Sequence, residues 1–167
     1  MIIGIGGMSR SGKTTMAHQI AAHFEKGSVS VLSLDDYAFP EKEIPMINDM
    51  IDWEHPESID FDRFYLDVYD SSKEYGLVLA EGFLIYLHEP SRKLFDKKIC
   101  VTISREEFER RRKEQYTEPQ WYLDHIWESY HRYQGRYEAE CDLVFDASGT
   151  VDMVPIAIGM ILEYMEE

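Results

Sequence analysis

Five short, nearly all-apolar runs punctuate the chain: Ile2–Gly6, Val29–Leu34, Leu77–Ala80, Lys98–Ile103 and Leu143–Asp146. Strands buried on both faces read this way. Between the first two runs, Met16, Ala17, Ile20, Ala21 and Phe24 recur at helical spacing, and Gly27 stands where a C-terminal cap is expected. Phe61, Phe64, Tyr65, Val68 and Tyr69 repeat the spacing before the third run, and Asp152 is placed to cap a last helix from Met153 onward. Strands alternating with helices predict an α/β fold, a doubly wound, five-stranded parallel sheet with helices on both faces. No repeat, low-complexity tract or Gly/Ser linker divides the chain, which predicts a single domain over residues 1–167.

Two segments break the pattern. Tyr37 to Pro56 carries three prolines and scattered acids, longer than the usual connection between a strand and its helix. Arg105 to Gln115 concentrates Arg105, Arg110, Arg111, Arg112 and Lys113 in a chain where 32 Asp and Glu outnumber 17 Lys and Arg, a net charge of −15. That overall charge repels nucleic acid and anionic bilayers, so neither is an expected partner. Two cysteines, Cys100 and Cys141, make neither a disulfide framework nor a zinc pattern. The start of the sequence has no signal-peptide pattern, and Val151–Met165 is interrupted by Asp152, Pro155 and Glu163, short of a membrane span. A cytoplasmic protein is expected.

The chemistry begins directly after the first strand. Gly7-Met8-Ser9-Arg10-Ser11-Gly12-Lys13-Thr14 matches G-x-x-x-x-G-K-[ST] in full. Such a loop aims successive backbone N–H groups at phosphate oxygens, and the helix that follows adds its positive N-terminal dipole. Gly7, Ser9, Arg10, Ser11, Gly12, Lys13, Thr14 and Thr15 are therefore the expected nucleotide-binding residues, with Lys13 on the β- and γ-phosphates and the Thr14 hydroxyl on Mg²⁺. The guanine-reading Asn-Lys-x-Asp of GTPases is missing, and the dinucleotide fingerprint fails because Ser9 stands at its third glycine position. Asp146-Ala147-Ser148-Gly149 reads as the turn after the last strand, with Ala147 to Thr150 placed for a base contact.

Asp35 follows the second strand, taken to neighbour the phosphate-loop strand, where a carboxylate can accept the proton of an attacking hydroxyl. Glu81 ends the third strand at the same sheet edge; Thr14, Asp35 and Glu81 are the candidate oxygen donors to Mg²⁺. The basic segment, about residues 105–118, reads as a short helical lid. Its planar donors, Arg105, Arg110, Arg111 and Arg112, suit phosphate and can neutralise charge on a transferring phosphoryl group. Tyr37, Phe39 and Trp53 lie on the long loop beside Asp35 and are pocket candidates, whereas Trp121, Tyr122, Trp127, Tyr130, Tyr133 and Tyr137 read as a core-facing stripe.

Together these residues resemble the uridine kinase and nicotinamide riboside kinase family of P-loop small-molecule kinases, over nearly the whole chain. Ser33-Leu34-Asp35-Asp36-Tyr37 looks like the family's catalytic-base segment, which gives Asp35 that role. Trp53-Glu54-His55-Pro56-Glu57-Ser58-Ile59-Asp60 is similar to its ribose-gripping segment, and Glu81-Gly82-Phe83 to its Glu-Gly segment. Arg110-Arg111-Arg112 matches the arginine cluster that opens the lid, where Arg112 is the candidate for a nucleoside contact. Asp124-His125-Ile126-Trp127 with Tyr130 and Tyr133 looks most like nicotinamide riboside kinases. The chain departs from the pattern at Glu54, where the family has Asp (Asp52 is then an alternative sugar ligand), at Phe39 in place of a Lys, and at Gln115 in place of a lid arginine.

The resemblance implies an ATP- and Mg²⁺-dependent kinase of a ribonucleoside 5′-hydroxyl. Its catalytic residues would be Asp35, Lys13, Arg111 and Arg112. Its acceptor would be held by Asp35, Tyr37, Trp53, Glu54, His55, Glu81 and Arg112, with a loop of about residues 36–57 forming the acceptor wall. The rivals are a P-loop kinase for a non-nucleoside alcohol, such as a sugar or vitamin precursor, and an ATP-binding regulatory module. Homo-oligomerisation is compatible with the sequence.

Overall fold

In the computed structural model, which describes residues 1–149 and 152–166, the first apolar run forms β1 (Ile2–Gly7), buried along its whole length. It leads into α1 (Lys13–His23) and then β2 (Val29–Ser33). A two-stranded hairpin, β3 (Met46–Ile47) and β4 (Met50–Ile51), precedes α2 (Phe61–Glu74). β5 (Leu77–Gly82), α3 (Glu89–Leu94) and β6 (Lys97–Thr102) follow. The chain continues through α4 (Arg105–Lys113), α5 (Gln120–Tyr133), β7 (Leu143–Asp146) and α6 (Met153–Glu166).

The five long strands make one parallel sheet in the order β2-β5-β1-β6-β7. Alternate side chains of each strand face opposite layers. Ile3, Ile5, Leu79, Ile99 and Val101 pack with Met16, Ala17 and Ile20 of α1 and Ala157 and Ile161 of α6. Val78 and Ala80 face the other way, toward Phe64 and Val68 of α2, Phe108 of α4, and Tyr122, Leu123 and Ile126 of α5. The sheet is thus covered on both sides, the doubly wound α/β arrangement that the sequence predicts. Burying a side chain such as Phe64 contributes about 1.5–3 kcal/mol each time. Tyr122, Tyr130 and Tyr137 are buried and Trp121, Trp127 and Tyr133 pack on the same core, so the aromatic stripe faces inward as expected.

One buried tyrosine ties the central strands together. The Tyr86 hydroxyl accepts the Gly6 N–H (3.2 Å) and lies 2.8 Å from the Gly4 carbonyl and 2.6 Å from the Ile99 carbonyl, bridging β1 and β6 just below the phosphate loop.

Local details differ from the sequence reading. Strand β2 is not a neighbour of β1; β5 lies between them, because the register Ile3↔Leu79 and Val31↔Leu79 pairs β5 with both. Helix α1 ends at His23, with Phe24 already extended, and Gly27 (φ +86°) serves the following turn rather than capping the helix. The irregular stretch 37–56 holds the hairpin β3–β4, whose turn residues Asn48 and Asp49 both have positive φ (44° and 62°). Positive φ at both central residues is what a two-residue hairpin turn requires. The Asp60 side chain accepts the Arg63 N–H (3.0 Å) and caps α2. At the last helix, Asp152 accepts the Val154 N–H at 3.2 Å, in line with the cap expected there. Of the Ala147–Thr150 turn, Thr150 lies outside the described residues.

Candidate functional site

β1 ends at Gly7 and α1 begins at Lys13, so the phosphate loop spans the carboxyl edge of the sheet. A β-carbon on Gly7 (φ +152°) would lie 2.2 Å from the Val101 carbonyl oxygen, and Gly12 adopts φ +95°. Both positions therefore demand glycine. Inside the loop, Ser11 N donates to the Met8 carbonyl (3.2 Å), and Lys13 Nζ donates to the same oxygen (2.9 Å), folding the lysine back over the cradle. Lys13 is only 8% exposed. Burial lowers its pKa, and the carboxylates of Glu81, Asp35 and Glu54 push the other way. The Thr14 hydroxyl donates to Glu81 (3.1 Å).

Two polar atoms here, Ser11 Oγ and Arg10 Nε, are buried without a partner. A buried orphan donor is costly unless something completes it. At a helix N-terminus beside a buried lysine, the group that fits is an anion with several acceptor oxygens.

The loop forms one wall of a cleft of about 620 Å³. Ser9, Arg10, Gly12, Lys13, Thr14 and Thr15 line this wall. Asp35, on a 3₁₀ turn (Leu34–Tyr37) after β2, Trp53 and Glu54 from the long loop, and Glu81 from β5 line another. Arg111 and Arg112 of α4 close the third. Arg112 holds Glu118 with two nitrogens (2.7 and 2.8 Å) and donates its third to Ser9 Oγ (2.9 Å). Arg111 donates to the carbonyls of Arg10 (3.2 Å) and Ala147 (2.7 Å). The end of α4 is thereby docked on the phosphate loop. Phe108, fully buried, roots the helix in the core.

Glu54 is the most perturbed carboxylate of the cleft. Burial, with Asp35 and Asp52 adding to it, pushes its pKa up to about 7 against the opposing pull of Arg112 and Lys13. Its side chain enters the cleft, whereas Asp52, the alternative sugar ligand, is buried behind the loop and bonded to His125.

Several expected site residues stand elsewhere. Arg105 pairs with Glu109 (3.1 Å) of its own helix and with Asp124 of α5, and Arg110 with Glu107 (2.7 Å) and with Glu114 just past the end of α4. Both guanidiniums are satisfied by these acids and do not line the cleft. Tyr37 is turned inward, donating to Asp67 (2.9 Å) and packing edge-on against Phe64. His55 accepts the Glu57 N–H (3.1 Å) and anchors the loop. The backbone of Phe39 pairs with Ser58 (2.8 Å), and its side chain does not reach the cleft. Gly7 and Ser11 belong to the phosphate loop but are not among the residues lining the cleft. The sequence reading missed Tyr116, whose ring lies 4.6 Å from the Arg112 guanidinium at the cleft mouth, and Glu118. Neither falls within a motif; their only signal is proximity in sequence to the arginine cluster.

Among the described residues, no group of three or more His, Cys, Asp or Glu side chains is gathered as a metal cage. At the phosphate loop Thr14 and Glu81 offer a paired hydroxyl and carboxylate, the sparse donor set with which Mg²⁺ is held when phosphate and water supply the other oxygens.

Fold and cradle are of the P-loop, phosphate-binding type. No family model matches the chain. It is 29% identical over 153 residues to nicotinamide riboside kinase 1 of Homo sapiens, covering 80% of this chain and 76% of that protein. It is 30% identical over 127 residues to uridine kinase of Lactobacillus helveticus (strain DPC 4571), covering 60% of each. The solved structure of a possible uridine kinase from Bacillus stearothermophilus shares the fold, with a TM-score of 0.61 over 87% of this chain and 88% of that one at 17% identity. The chain resembles the uridine kinase and nicotinamide riboside kinase group of P-loop small-molecule kinases, as its motifs imply.

Proposed function

We propose that this protein transfers the γ-phosphoryl group of ATP to the 5′-hydroxyl of a ribonucleoside. The observation that carries the reading is the shared cleft. Lys13 and Thr14 on the phosphate wall share the cleft with Asp35 and Glu54 of the loop wall, and Arg112, bonded to Ser9, lines its third side. In this reading Lys13 and the loop amides hold the triphosphate. Asp35 takes the proton of the acceptor hydroxyl as its oxygen bonds to the γ-phosphorus and the bond to the ADP oxygen breaks. Arg111 and Arg112 neutralise the charge on the group in transit. Thr14 and Glu81, with Asp35 as a further candidate donor, would hold Mg²⁺, which when bound screens the charge between the phosphates. Residues 105–118 act as a lid and 36–57 as the acceptor wall.

The aromatic faces of Trp53 and Tyr116, both largely exposed at the cleft, suit a flat base. Of the acceptors in the relatives' names, nicotinamide riboside fits better, because its ring is cationic and the cleft holds aromatic side chains and the Glu54 carboxyl together. The test is ADP release over a panel of nicotinamide riboside, uridine, cytidine, sugars and small alcohols, with product mass confirmed. A 5′-phosphorylated nucleoside is expected, with nicotinamide riboside showing the highest kcat/KM. Acceptor-independent ATP hydrolysis alone would move the reading to a regulatory ATP-binding module.

A further inference from the structure

Asp52 takes no part in the chemistry above, yet it is a carboxylate only 6% exposed. Its Oδ1 receives two donors. One is the backbone N–H of Glu54 (3.2 Å), two residues on; the other is Nε2 of His125 (2.7 Å), 73 residues away on α5. An ionised carboxylate only accepts, so His125 carries a proton on Nε2. One turn earlier on α5, the Tyr122 hydroxyl donates to the Ile51 carbonyl (3.0 Å). Two adjacent loop residues are therefore fastened to one face of one helix, and that helix is locked in the core by Leu123 and Ile126.

A two-stranded hairpin standing alone is marginal in water. Here β3 and β4 pair through only two residues each. The position of the segment that follows them, and of the Glu54 side chain in the cleft, must be set from outside the hairpin. The Ser58 hydroxyl holds the Trp53 carbonyl (3.0 Å), and Asp52 is the link to α5, because the oxygen that accepts from α5 is the one that accepts from the Glu54 backbone. A carboxylate meant to grip an acceptor has to be held to a fraction of an ångström.

We propose that His125 is a positioning residue for the acceptor: through Asp52 it fixes the backbone at Glu54 and so holds the Glu54 carboxylate in the cleft. The proposal rests on the reading of the cleft as a nucleoside kinase site and names a residue outside the cleft that governs acceptor affinity.

The experiment measures steady-state kinetics with nicotinamide riboside and ATP, acceptor-independent ATP hydrolysis, and backbone hydrogen exchange. Five proteins are compared: wild type, His125→Ala, His125→Gln, Glu54→Gln and the double variant His125→Ala/Glu54→Gln. Loss of one hydrogen bond to a buried carboxylate predicts that His125→Ala raises the acceptor KM about tenfold, with ATP KM and acceptor-free hydrolysis within about twofold. Exchange should quicken in residues 45–55 and not in α5 or the sheet. His125→Gln, whose amide N–H reaches the same oxygen, should recover the acceptor KM to within about threefold. In the Glu54→Gln background His125→Ala should add less than about twofold, since its effect runs through Glu54. Parallel shifts in both KM values, multiplicative effects in the double variant, or no rescue by Gln would each overturn the proposal. If wild type phosphorylates no nucleoside, the functional reading fails on its own. The exchange data then still decide the coupling: faster exchange in 45–55 reversed by Gln upholds it, and unchanged exchange refutes it.

Discussion

Glu54 pits the site against the fold. Glu54 is 8% exposed, and burial, with Asp35 and Asp52 adding to it, raises its pKa from the ordinary 4.5 to about 7. Below about pH 4.5 the group is protonated in both folded and unfolded chains. As pH rises toward 7 the unfolded chain releases the proton first, and the folded chain progressively loses the stability that the neutral form confers. Above about pH 7 the loss is complete: a difference of about 2.5 pH units at 1.36 kcal/mol each amounts to about 3 kcal/mol. Glu54→Gln removes the titration. Its stability relative to wild type should be about 1 kcal/mol in its favour at pH 5 and rise to about 3 kcal/mol at pH 8, the latter roughly 6–12 °C in Tm for a chain of this size. Urea unfolding of both proteins at the two pH values measures this. The same variant should lose acceptor kcat/KM, a trade expected where a site is kept at the expense of the fold. An equal stability difference at pH 5 and pH 8 would refute the reasoning, because it would mean that Glu54 does not ionise at a cost.

Asp35→Asn should reduce turnover by ~10²–10⁴, with ATP binding by calorimetry nearly unchanged; full activity would remove Asp35 from the mechanism. Glu118→Gln weakens the two-nitrogen grip on Arg112, and kcat/KM for the acceptor should fall by about tenfold with little change in Tm. No kinetic effect would show that Arg112 needs no support from Glu118. Tyr86→Phe deletes the hydroxyl that bridges β1 and β6 and should cost about 1–3 kcal/mol in urea unfolding. A smaller loss would mean the strand ladder alone holds the phosphate loop's base.

What could be read from the sequence was whatever local chemistry dictates. The glycines and lysine of the phosphate loop admit few conformations, and the apolar runs have no alternative to a doubly covered sheet, so β1, β2, β5, β6 and β7 fall where the runs predict. Strand order was not local: β5 intervenes between β1 and β2, which follows from long-range pairing and not from any residue in β2. Charge misled at Arg105 and Arg110, because a guanidinium three or four residues from a glutamate on a helix is satisfied there. The hairpin β3–β4 was hidden by its length, two residues per strand, although Asn48-Asp49 carries the turn chemistry. Tyr116, Glu118 and the Asp52–His125 pair became visible only when distant segments met.

The strand order also dictates when the phosphate loop can exist. β1 has no sheet partner before residue 77; it pairs with β5 and β6, roughly 75 and 95 positions further along. Helix α1 can cover Ile3 and Ile5 early in synthesis, but the sheet pairing that flanks the phosphate loop is complete only when residues up to 102 are available. The nucleotide cradle is thus held in place by strands drawn from widely separated stretches of the chain.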